Sequence, residues 1–219
     1  MRLRKTKYSL VFVPALLVCA YAFIQYGLYP PQLASLVQFK LQSPDFHLRP
    51  WVYFLYVHIA ASSVALLIGP VQLFRRARTP RAVRLHRTLG KIYAVSIVLS
   101  ALVSIQLSLS ASGGWIARTG FLAMDLAWLY TTCTGVRQAM RGNIASHSRW
   151  MLRSYAITFA AVTLRLYQLP LMLLFDAFEP AYRLSAWLCW TVNLVVVEWL
   201  LYRKKTKNQL SQQKRVMES

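Results

Sequence analysis

Apolar residues follow one another in stretches of about twenty, the length a helix needs to cross the hydrocarbon core of a bilayer. Six such stretches occur: Tyr8–Tyr29, Trp51–Phe74, Thr88–Ser110, Gly120–Val136, Met151–Phe175 and Leu184–Tyr202. The pattern predicts an all-α polytopic membrane protein, a bundle of six transmembrane helices filling residues 1–205 as one domain. Residues 206–219 are left as a basic, disordered tail. The first stretch also imitates a signal peptide, with a basic start and small residues at Ala20 and Ala22. Its apolar character continues through Leu28, so it reads as an uncleaved span.

Within the stretches, the polar positions recur at helical spacing. In the fifth, His147, Met151, Ser154, Thr158, Ala161, Arg165 and Gln168 alternate steps of four and three, which is one face of a helix. Ser146 is placed to cap a helix starting at His147. In the second, His58, Ser62, Ala65, Gly69 and Gln72 form a matching seam. Lipid-facing charge is costly, so both seams face the protein interior. Gly69-Pro70 and Leu169-Pro170 are possible helix breaks.

Composition and charge change the picture in one respect. The chain is 57% hydrophobic, 15% charged, and carries a net charge of +20. That charge is not spread evenly. The first four basic residues (Arg2, Arg4, Lys5, Lys7) precede the first span, and Arg75, Arg76, Arg78, Arg81, Arg84 and Arg87 fill the second link. Arg137, Arg141, Arg149 and Arg153 flank the fourth, and Arg203, Lys204, Lys205, Lys207, Lys214 and Arg215 follow the last span. The alternation is the positive-inside pattern, with both termini cytoplasmic and the basic loops on anionic lipid headgroups. It accounts for the charge without nucleic acid. The three cysteines, one in each of three different spans, form no close-spaced disulfide or zinc framework.

Two polar groups follow from depth. His58 lies seven residues below Trp51, about 10 Å into the membrane from the external side. Asp125 enters the fourth span from that same side, and Arg165 belongs to the same half. An external-half cluster of His58, Asp125 and Arg165 is expected, with Gln106 and Gln168 as neighbours and Asp125 as the arginine's counter-charge. It would either lock the helices together or bind a quinone or small anion. On the cytoplasmic side, His86 and His147 stand at matched depth on different helices, with Gln72 and Glu198 toward the same side. Gly90, one turn above His86, leaves room for a flat ligand. Such a pair can clamp one haem b iron, hold another transition metal, or simply face lipid phosphates.

The segments "HIAASSVALLIGPVQL", "LHRTLGKIY" and "HSRWMLRSYAITFAAVTLR", in that order, resemble a family of bacterial multi-pass membrane proteins catalogued as a domain of unknown function. The resemblance covers residues 50–170 and implies a membrane protein of the bacterial cytoplasmic membrane, with no activity attached. The arrangement is also similar to that of six-helix transmembrane cytochromes b, in which histidines of the third and fifth helices clamp a haem. His86 and His147 match that pair. The second pair is broken, because the fourth span has no histidine. The sequence therefore leads toward a haem-b membrane redox protein with an external polar site. The alternatives are a cofactor-free carrier or sensor of a small anion, or a membrane scaffold. Oligomeric state is not written in the sequence, and a covalent hydrolase is disfavoured by the lack of a nucleophile motif.

Overall fold

The computed structural model describes residues 2–75 and 79–217; Arg76 and Arg78 of the basic second link lie outside them. The described chain is almost wholly helical, in the order α1 (Arg2–Phe23), α2 (Ser35–Leu41), α3 (Leu48–Phe74), α4 (Pro80–Leu109), α5 (Gly114–Met140), α6 (Ile144–Thr158), α7 (Ala160–Phe175) and α8 (Phe178–Met217). One π-helical turn, Ile24–Leu28, extends α1. Five segments are long and apolar enough to cross a membrane: Tyr8–Leu28, Leu48–Phe74, Pro80–Leu109, Ile144–Phe175 and Phe178–Gln213. The expected fourth span lies in α5, which is as long as α3 at 27 residues. It is not among the five, because Arg118, Asp125, Arg137 and several threonines lower its hydropathy.

Helices adjacent in sequence pack as antiparallel neighbours: α3 on α4, α4 on α5, and α7 on α8. The α4–α5 turn needs two left-handed residues in a row, and Gly113 (φ 83°) and Gly114 (φ 68°) supply them without a Cβ penalty. The centre is apolar, with Ala65, Tyr93, Ile97, Ala101, Trp128, Tyr155 and Ile157 forming one buried cluster. Gly69 is what lets α6 approach α3. A Cβ there would stand 2.1 Å from the Tyr155 ring. The α3 seam therefore does face inward, as its spacing predicts, with Ala65 and Gly69 fully covered.

Three expectations change. Helix α6 starts at Ile144 rather than His147, and its cap is Asn143, whose Oδ1 accepts from Ser146 N at 3.1 Å. The helix interruption is at neither proline: α3 runs through Pro70 and α7 through Pro170. It falls at Phe159, between α6 and α7. There Asn193 of α8 inserts its amide, donating to Ala156 O (3.0 Å) and Thr163 Oγ1 (3.0 Å). Thr163 in turn donates to Cys189 O (2.7 Å). A side chain bonded into the ladder is a sufficient cause for a break. Lastly, α8 continues for 40 residues to Met217, helical through the stretch expected to be disordered. Beyond Tyr202 that stretch has no glycine or proline and is rich in Lys, Gln and Arg, all good helix formers.

Candidate functional site

A cavity of about 240 Å³ opens inside the bundle at the end where α3 begins. Its upper wall comes from the connection between α1 and α3. Short helix α2 packs Val37 against Trp51, Val52 and Leu55, and thereby turns Leu36 and Lys40 into the opening. The sides are mostly apolar, from Val18, Leu55, Ile59, Leu107, Phe121 and Leu164. Small polar groups, Ser62, Ser63, Ser104 and Ser108, interrupt them. Trp128 and Thr158 line its inner part.

The polar atoms of this cavity differ in how well they are satisfied. Lys40 is 6% exposed; its Nζ donates to Ser110 O and lies 5.2 Å and 5.1 Å from the ring centres of Phe46 and Trp51. Burial pushes the Lys40 ammonium down to about 8, and the nearby Arg118 charge acts in the same direction. The indole Nε1 of Trp51 is buried without a partner. His58 Nδ1 shares a 2.9 Å hydrogen bond with Ser100 Oγ across α3 and α4. Arg165 donates to Ala161 O at 2.6 Å on its own helix and stands 5.7 Å over the Tyr21 ring. Behind the serines, Asp125 is fully buried. Its Oδ2 accepts from Ser108 Oγ at 2.9 Å, while Oδ1 has no partner.

Of the expected external-half cluster, His58 and Arg165 line this one cavity, and the other members are placed apart from it. The Asp125–Arg165 pair does not form. Among the described residues the ion pairs are Arg153–Glu198 and Arg183–Glu179. Helix α5 presents Asp125 to the α4 serines, whereas Arg165 projects from α7 toward α1. Gln106 is exposed on the outside of α4, two positions from both buried Ser104 and Ser108, and so lies on the opposite face. Gln168 leaves both amide atoms buried and unpartnered, but it does not line the cavity. Lys40 was missed because a helix as short as α2, set in the connection between two spans, carries too few turns to mark an inward face. Trp51, placed by depth at the membrane boundary, is instead buried at 7% exposure, unlike Trp115 at 77%.

Directly beneath the cavity a group of buried hydroxyls and one indole is paired. Tyr93 Oη lies 3.0 Å from both Ser154 Oγ and Thr158 Oγ1. Trp128 Nε1 donates to Thr158 Oγ1 (2.9 Å), and Thr132 Oγ1 is 2.7 Å from Ser154 Oγ. This network ties α4, α5 and α6 together at the level of the helix break.

At the other end of the bundle, His86 and His147 do come together. Their ring centres are 6.5 Å apart with planes at 88°. His147 Nδ1 bonds Gly135 O at 2.8 Å. The space over Gly90 is taken: a Cβ there would meet Gln72 Nε2 at 3.1 Å, because that amide donates to His86 O at 2.8 Å. The room expected for a flat ligand beside His86 is therefore occupied by Gln72. Glu198 is engaged by Arg153, with Nη2 donating to Oε2 at 2.8 Å. Among the described residues no three of His, Cys, Asp or Glu gather into a metal shell.

An all-helical chain with several apolar helices of membrane-crossing length, built around buried seams, is a membrane protein. It belongs to the family described as "Predicted membrane protein (DUF2306)", whose model matches residues 55–201, from the middle of α3 well into α8. No curated protein and no solved structure matches the chain. Nothing in the family match supports the likeness to cytochromes b.

Proposed function

We propose that the protein is a carrier or sensor that binds one small amphiphilic anion in the α2-covered cavity. One observation carries this reading. Lys40 and Arg165 open onto the same, otherwise mostly apolar space, and neither is ion-paired to an acid among the described residues. The buried Lys40 ammonium and the more exposed Arg165 guanidinium beside an apolar wall suit a carboxylate or similar head with an apolar body. In this reading α5 makes the sixth crossing. Both termini are cytoplasmic, the protein resides in the bacterial cytoplasmic membrane, and the cavity faces outward, as the alternating basic segments require.

Equilibrium binding of radiolabelled decanoate to the purified protein in lipid nanodiscs is the test. Saturable binding, not displaced by decanol and weakened at least tenfold in Arg165→Gln, is expected. Partition that never saturates, or that is unchanged in the variant, would overturn it. A second reading, one haem b between His86 and His147 relaying electrons to a quinone in the cavity, is favoured by the ring separation alone. A reduced-minus-oxidised visible spectrum of the purified protein decides that one.

A further inference from the structure

We infer that His86 and His147 form a binding site for a single transition-metal ion, pinning α4 to α6 at the end of the bundle away from the cavity. Two imidazole nitrogens, each about 2.1 Å from a shared ion, set their ring centres roughly 5–6.5 Å apart, depending on the angle at the metal. The observed 6.5 Å is within reach of a small side-chain rotation.

The hydrogen bonds say which nitrogens are available. His147 commits Nδ1 to the Gly135 carbonyl, which fixes that nitrogen as the donor and leaves Nε2 with its lone pair. Among the described residues, His86 Nδ1 is buried with no partner, and so is Gln72 Oε1. Gln72 is anchored beside that ring by its Nε2–His86 O bond. His147 thus has a carbonyl on Nδ1, the Gln72 amide held on the His86 backbone carries an unused carbonyl oxygen, and His147 Nε2 is left for a ligand. Metal-bound histidines are held in this way, with the far nitrogen hydrogen-bonded to a carbonyl or carboxylate. An edge-to-face ring contact would explain the proximity but not the two orphaned buried atoms. Imidazole donors with water completing the shell favour a late divalent ion such as copper, zinc or nickel.

The site can be read with Co²⁺, whose visible bands report coordination. Chelator-stripped full-length protein is expected to take up one Co²⁺ per chain saturably. His147→Asn keeps a donor for Gly135 while removing Nε2, and His86→Phe keeps the ring contact while removing the nitrogens. Each is expected to weaken binding at least tenfold, and the double variant scarcely further. His47→Ala, at an exposed histidine bonded to Asp45 O, is expected to bind as the parent does. Absence of saturable uptake by the parent, or uptake retained in either single variant, would sink the proposal. So would a haem absorption band in the purified protein, since the occupant would then not be a bare ion. Monodisperse elution of the variants separates loss of the site from loss of the fold.

Discussion

Two polar regions lie on top of one another in this bundle, and they are built on different terms. The lower one joins Tyr93, Trp128, Thr132, Ser154 and Thr158 through bonds of 2.7–3.0 Å, and each of those side chains has a partner. The upper one holds the same residue classes plus charge, yet Trp51 Nε1 and Asp125 Oδ1 are left over, and Arg165 bonds only its own helix backbone and a ring face. Leaving a buried polar atom unpaired costs about 1–3 kcal/mol. The closed region holds the fold; in the function proposed above, the open region is the one that receives a ligand.

That contrast can be broken or sharpened by substitution. The largest effect is expected from Gly69→Ala, whose new methyl would collide with the Tyr155 ring at the base of the closed region. Overpacking of this kind costs about 1–3 kcal/mol or more, and thermal unfolding in detergent should show the lowest midpoint of the set. Tyr93→Phe comes next. It strips one hydroxyl from a satisfied network and should destabilise by about 1–2 kcal/mol, with decanoate affinity unchanged; altered affinity would join the two regions into one. Arg165→Gln should do the reverse, lowering affinity at least tenfold, about 1.4 kcal/mol, while the unfolding midpoint stays put. Smaller still is the pH effect of Lys40. The ammonium is charged below about 8 and neutral above it, so anion affinity should fall a few-fold as pH rises from 7 to 9. In Lys40→Arg that slope should vanish. Gln106→Leu, on the outer face of α4, should move neither readout, with stability within about 0.5 kcal/mol.

Much of the fold was legible because two signals are strong in membrane chains. Apolar runs give the spans, and the 3.6-residue period gives the inward faces, which is how the His58 and Arg165 seams were found. Depth was legible too, and it correctly brought His86 and His147 together. What depth lacks is rotation about the helix axis. Gln106 sits at the right height on the wrong side of α4, although Ser100, Ser104 and Ser108 mark its buried face at near-helical spacing. The Asp125–Arg165 pairing failed for the same reason, since equal height on two helices does not make two side chains neighbours. Lys40 and the Asn193 insertion were out of reach. One depends on how a non-periodic connection folds back, and the other on a single amide meeting a carbonyl 37 residues away.

The break at Phe159 has a mechanical consequence. The irregularity is confined to one residue: Phe159 stays right-handed helical (φ −70°, ψ −7°), with its N bonded to Tyr155 O and its O accepting from Thr163 N. The half below is fastened by the hydroxyl network, and the half above is fastened through Thr163 and Asn193 to α8. Asn193 also bonds Ala156 O on the lower side, so α8 fastens both halves across the irregularity. Arg165, two residues beyond Thr163, is thereby carried on a helix that α8 anchors from both sides.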